Sequence, residues 1–79
     1  MNITVYTKSN CPNCVAAKQL LKSKGLDYIE NSLEDPETDW GLYLRMKHPE
    51  ARQMPQIFIN GQRVGGLAGL QAALKQVGL

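Results

Sequence analysis

The run Gln56-Ile57-Phe58-Ile59-Asn60-Gly61-Gln62-Arg63-Val64 constrains the fold more than any other segment. A β-rich apolar stretch is followed by Asn-Gly, the pair best suited to the two positive φ angles of a type I′ turn, and then by a returning stretch. Two antiparallel strands joined by a tight hairpin are therefore expected over 56–59 and 62–64. A chain of 79 residues is one domain spanning 1–79, so this hairpin and every other element must share a single core.

The rest of the chain supplies partners for it. Ile3 to Tyr6 reads as a short strand, and Pro12 falls where the first turn of a helix tolerates a missing N–H. That helix is expected to run to about Lys24. Cys14, Ala17, Leu20 and Leu21 share one side, Lys18, Gln19, Lys22 and Ser23 the other, and Gly25 is placed to end it. Leu26 to Glu30 reads as a second strand, reached by a right-handed parallel crossover. Asp35-Pro36-Glu37 opens a second helix, with acids at the positive end of its dipole and Trp40, Tyr43, Leu44 and Met46 as an apolar stripe for the core. Residues 47–53 read as a loop. After Gly65-Gly66 breaks the last strand, Leu67, Leu70, Leu74 and Val77 recur at helical spacing and mark a helix that covers the sheet. The order is βαβαββα, an α/β arrangement with no repeat or linker.

Composition excludes several functions. A content of 43 % hydrophobic and 20 % charged residues is ordinary for a globular protein, and no apolar stretch approaches membrane-spanning length. The net charge of +2 is too small to argue for nucleic acid. Asp27, Glu30, Glu34, Asp35, Glu37 and Asp39 form an acidic block that leaves only Glu50 elsewhere, flanked by lysines and arginines that read as solvated helix faces. Met1-Asn2-Ile3 lacks the pattern of an export signal, so a reducing cytoplasm is expected.

In that compartment a lone cysteine pair, Cys11-Pro12-Asn13-Cys14, points to catalysis or metal binding rather than a permanent staple. The spacing alone also suits half a zinc knuckle. His48 is the one further soft or borderline ligand, so a four-ligand structural zinc site cannot be closed within one chain without a carboxylate, and no metal site is expected. His48 itself is expected to be a solvent-exposed loop residue. Cys11 lies at the mouth of the first helix, where unpaired N–H groups and the dipole stabilise a thiolate and Lys8 adds positive charge. Such surroundings bring a thiol from about 8.5 to a pKa in the range of roughly 3.5 to 7.5. Cys11 is thus the expected nucleophile, and Cys14, one turn on and facing the core, the thiol that resolves a mixed disulfide.

Three separated motifs carry a family resemblance: Tyr6-Thr7-Lys8-x-x-Cys11-Pro12-x-Cys14, then Met54-Pro55-Gln56-Ile57-Phe58-Ile59-Asn60-Gly61, then Val64-Gly65-Gly66. Together they resemble a small dithiol glutaredoxin over nearly the whole chain. The resemblance implies a minimal thioredoxin fold, a four-stranded mixed sheet of order 2-1-3-4 flanked by helices on both faces, with Pro55 cis and lying against the cysteines. It implies a monomeric thiol–disulfide oxidoreductase with glutathione as co-substrate and no bound prosthetic group, acting on disulfide-containing proteins such as ribonucleotide reductase. It places glutathione against Lys8, Asn13, Gln53, Met54, Pro55, Gly66, Leu67 and Ala68.

The sequence departs from the family at several of these positions. Met54 stands where Val is usual, Arg52 and Gln53 precede it where Thr is common, and Asn13 replaces a frequent aromatic. Leu67-Ala68-Gly69 lacks the acidic or hydroxyl side chains that meet the γ-glutamyl group, leaving backbone N–H groups for its carboxylate. Two alternatives stay open: a redoxin of the same architecture reduced by thioredoxin reductase, and a carrier in which two copies of Cys11 and two glutathione thiols hold a [2Fe-2S] centre.

Overall fold

The computed structural model of the protein describes residues 2–33, 46–48 and 54–78. Strand β1 (Ile3–Thr7) has β2 (Ile29–Ser32) parallel on one side and β3 (Gln56–Ile59) antiparallel on the other. Strand β4 (Gln62–Gly65) then pairs antiparallel with β3, giving the order β2-β1-β3-β4. Helix α1 (Pro12–Ser23) connects β1 to β2, and α2 (Leu67–Gln76) follows β4. The mixed sheet and its order are those expected. The second helix expected from Asp35 lies outside the described residues, as do Trp40, Tyr43 and Leu44. Of that stretch Met46 and Lys47 are helical, and Met46 is 73 % exposed, so it adds nothing to a buried stripe.

The hairpin forms as its dipeptide requires. Asn60 and Gly61 take φ of 52° and 83°, and Ile59 faces Gln62 across the two-residue turn. Helix α1 ends in a Schellman motif. Gly25, at φ 68°, donates to the Lys22 carbonyl at 3.1 Å, and Leu26 donates to the Leu21 carbonyl at 3.0 Å. That motif corrects the expected start of β2. Leu26 is committed to the helix end, so the strand begins at Ile29 instead, while Leu26 and Tyr28 turn half-buried onto the core.

Strict alternation along β1 sends Ile3, Val5 and Thr7 to the face that α1 and α2 cover and Tyr6 to the other. Ile3, Val5 and Ile57 from the sheet, Ala17 and Leu21 from α1, and Leu70 and Leu74 from α2 make one core, each no more than 2 % exposed. Full burial of a Leu or Ile side chain contributes roughly 1.5–3 kcal/mol. Val77, expected on that stripe, is instead the C-cap of α2 and 59 % exposed, because the helix stops one residue before it. Helix α2 packs unusually close to β4. A Cβ added at Gly69 would collide with the Val64 carbonyl, whose carbon would lie 2.8 Å away.

On the opposite face Tyr6 meets Phe58 edge-on with ring centroids 5.5 Å apart, and His48 packs on Phe58 at 4.9 Å. His48 is therefore half-buried against an aromatic ring rather than solvent-exposed. Among the described residues no helix is long and apolar enough to cross a membrane.

Candidate active site

The chain between β1 and α1 turns sharply at Asn10, whose φ is 54°, and delivers Cys11 to the N-cap of α1 in extended conformation with Pro12 as first helical residue. The Cys11 carbonyl starts the helix by accepting from the N–H of Cys14 at 3.1 Å and of Val15 at 3.2 Å. The same Cys14 N–H points at Cys11 Sγ, 3.2 Å away, so sulfur does the work that a Ser or Asp oxygen does at an ordinary cap. One backbone donor and the positive end of the helix thus converge on this sulfur, which favours a negative charge there.

Cys11 and Cys14 form a disulfide, with Cα atoms 5.2 Å apart. Cys11 keeps 8 % of its surface and Cys14 2 %, so Cys11 is the more accessible residue of the pair. The Met54–Pro55 bond is cis, as the resemblance implied. The Met54 carbonyl oxygen lies 3.7 Å from Cys11 Sγ, which puts the Met54–Pro55 segment leading into β3 against the disulfide.

Beside the cysteines opens a pocket of about 300 Å³, lined by Asn13, Met54, Pro55, Gln56, Gly66, Leu67 and Ala68. Six residues singled out in the sequence, lying within or just after three motifs, are brought together in it. Lys8 is exposed at the end of β1 and does not line the pocket, and Gln53 lies outside the described residues. Gln56 was missed. It is a 5 % exposed polar side chain, and its signal was an amide immediately after Pro55 at the head of the otherwise apolar Ile57-Phe58-Ile59. One wall of the pocket is the start of α2, whose N-cap Gly66 makes no side-chain cap bond and whose first turn holds no acid.

At the back of α1, Glu30 accepts from Lys18 Nζ at 3.0 Å and from Thr7 Oγ1 at 2.8 Å. The Lys18 bond first, then the Thr7 bond, holds the Glu30 carboxyl below the usual glutamate range. Among the described residues no three His, Cys, Asp or Glu side chains gather as metal ligands.

A family model described as Glutaredoxin matches residues 3–64. Glutaredoxin 3 of Escherichia coli K12 is 36 % identical over 78 residues, covering 99 % of this chain and 92 % of that protein. The structure of reduced E. coli glutaredoxin superposes with a TM-score of 0.77 at 28 % identity, covering 96 % of this chain and 95 % of that one. The E. coli glutaredoxin-like protein NrdH-redoxin, which has a thioredoxin-like activity profile, superposes almost as well. Its TM-score is 0.76 over 91 % of this chain and 93 % of that one, and at 23 % identity this likeness concerns the fold alone.

Proposed function

The chain belongs to the glutaredoxin family and is a thiol–disulfide oxidoreductase; from that premise we propose that it draws its electrons from glutathione, with Cys11 as nucleophile and Cys14 as resolving thiol. The observation that carries this reading is the disulfide at the N-terminus of α1, flanked by a pocket whose lining includes Asn13, Met54, Pro55, Gly66, Leu67 and Ala68.

In the reduced protein the Cys11 thiolate attacks one sulfur of a substrate disulfide. A Cys11–substrate bond forms, the substrate S–S bond breaks, and the departing thiolate takes a proton from solvent. Cys14 then attacks Cys11 Sγ, releasing the second substrate thiol and closing the intramolecular disulfide. One glutathione thiolate reopens it at Cys11, freeing Cys14, and a second glutathione takes the first off as glutathione disulfide. Two electrons pass in each direction and no redox cofactor is needed. The Cys14 N–H and the positive end of α1 serve each step in which that sulfur attacks or leaves as an anion. The free N–H groups at the start of α2 suit a carboxylate of the tripeptide, with Asn13 and Pro55 as side walls.

A second reading has its own support. Leu67 and Ala68 bring no side-chain donor or acceptor to the pocket, which fits a redoxin served by thioredoxin reductase. The deciding assay follows NADPH oxidation on a mixed-disulfide substrate, with glutathione plus glutathione reductase in one arm and thioredoxin reductase in the other. Turnover in the first arm is expected. Turnover in the second arm alone overturns glutathione as reductant and leaves the oxidoreductase chemistry in place.

A further inference from the structure

Gln56 is nine-tenths buried, carries no catalytic chemistry, and still lines the pocket beside the disulfide. Its side-chain carbonyl accepts from Arg63 Nη1 at 3.2 Å. The sheet explains why this bond matters. Gln56 begins β3 and pairs with Tyr6 on the β1 side, but on the β4 side the register shifts between Ile57 and Phe58, so that Ile57 faces Gly65 and Phe58 faces Arg63. The ladder to β4 therefore stops short of Gln56. Arg63 lies opposite Phe58 on the same face and reaches diagonally to Gln56, spanning the bulge with its side chain. Two residues upstream, the Met54 carbonyl stands 3.7 Å from Cys11 Sγ.

We infer that the Gln56–Arg63 bond is a positioning device that holds the Met54 carbonyl against Cys11 and so sets the balance between thiol and thiolate there. The two backbone groups on this sulfur oppose each other. The Cys14 N–H at 3.2 Å favours the anion. In the disulfide the Met54 carbonyl oxygen stands 3.7 Å from Cys11 Sγ; once the pair is reduced, an oxygen so placed accepts from the thiol and repels the anion. Of the charged and titratable groups described on the neighbouring elements, Cys14 sits on α1 and exposed Lys8 follows β1, Tyr6 and His48 pack on Phe58 on the same face as Arg63, and the Lys18–Glu30 pair lies toward the β2 edge of the sheet, away from Arg63. None of them is substituted when the Gln56–Arg63 bond is changed. Loosening that bond lets the head of β3 move off the sulfur, and the surviving N–H donor then dominates.

This inference rests on the assignment of Cys11 as nucleophile, and its test needs no turnover. Gln56→Leu and Arg63→Lys both preserve net charge, so a change in sulfur ionisation in either does not come from adding or removing a charge. The reduced full-length chain is titrated by thiolate absorbance in the ultraviolet, with thermal unfolding followed in parallel. The expected result is a Cys11 midpoint lowered by a few tenths of a pH unit, the size of one weak S–H···O contact. The shift is smaller in Arg63→Lys, which keeps one donor, than in Gln56→Leu. A midpoint that stays put or rises while the unfolding temperature falls assigns the pair to stability alone and overturns the inference. Should Gln56→Leu not fold, the Arg63→Lys midpoint decides by the same criterion. Failure of the glutathione assay leaves this titration unaffected, so the two readings fail separately.

Discussion

The two helices that begin beside the pocket start in opposite ways. At α1 the N-cap is Cys11, and its sulfur meets a backbone N–H of the first turn. At α2 the N-cap is Gly66, with no side chain to give and no acid in the turn that follows. A side-chain cap contributes about 0.5–2 kcal/mol, so α2 forgoes stabilisation that α1 has. The difference shows how the site distributes its donors. Those of α1 act on the reacting atom, while those of α2 are left facing the groove. Helix α2 is held by packing instead, through Leu70, Leu74 and the close approach of Gly69 to Val64.

The largest effect is expected at the capped end. Cys11→Ser is predicted to abolish all thiol transfer, because a Ser hydroxyl at the same cap keeps the helix and loses the nucleophile. Cys14→Ser is predicted to retain reduction of glutathione mixed disulfides and to lose reduction of protein disulfides, which requires a resolving thiol. Rates on both substrate classes, measured side by side, check the assignment; equal retention in the two variants contradicts it. At the other helix, Gly69→Ala is predicted to destabilise the fold by roughly 1–3 kcal/mol, since backbone must move to admit the methyl group. The urea midpoint measures this, and an unchanged midpoint would show that α2 is not pinned by that contact.

How much of this contrast was legible in the sequence depended on how local its causes are. The Asn60-Gly61 turn was readable because the two residues themselves require positive φ. The cap at Cys11 was readable because Pro12 marks a first turn. Sheet order, cis-Pro55 and the six pocket residues came from three motifs agreeing with a family, since no single segment encodes that Asn13 and Ala68 line one pocket. The start of β2 was misplaced by three residues because Leu26, apolar and strand-like, is used by the Schellman motif of α1. Val77 kept the helical spacing but fell past the last turn, and burial is decided by where the helix ends. The Gln56–Arg63 bond was invisible, because a bulge in the facing strand creates the gap it spans.

The uncapped terminus offers a subtler test. Gly66 has φ −92° and ψ −151°, open to any residue, and a Cβ there would touch only the Pro55 carbonyl oxygen, at 3.4 Å. Gly66→Ser is therefore predicted to fit and to cap α2, with a gain of a few tenths of a kcal/mol. If the free N–H groups serve a carboxylate of the substrate, the new hydroxyl competes for one of them. KM for a glutathione mixed disulfide is then expected to rise roughly 2- to 10-fold with kcat little changed, the size of one hydrogen bond. A stabilised variant with unchanged KM would mean that the α2 terminus does not contact the substrate, and the contrast between the helices would be structural only.

The smallest effect concerns a polar tie that α1 has to the sheet beyond the packing of Ala17 and Leu21, and that α2 lacks among the described residues. Glu30 on β2 holds Lys18 of α1 and Thr7 of β1. Its carboxyl is held below the usual range by the Lys18 bond and then the Thr7 bond. A group with a lowered folded pKa stabilises the fold above its unfolded pKa, roughly 4.3, and loses that contribution as pH falls through the folded value. Both partners are part-exposed, with side chains 28 % and 35 % accessible, so solvent screens the pair. Glu30→Gln is accordingly predicted to cost at most a few tenths of a kcal/mol at neutral pH. The difference from the unsubstituted chain should shrink in high salt and close as pH falls through the lowered folded value, where the wild-type carboxyl also becomes neutral. Amide exchange sharpens the point. Acid should raise exchange in α1 ahead of α2, because no carboxylate among the described residues ties α2 to the sheet. A gap between the two proteins that persists unchanged into acid would trace the effect to Gln packing and not to charge.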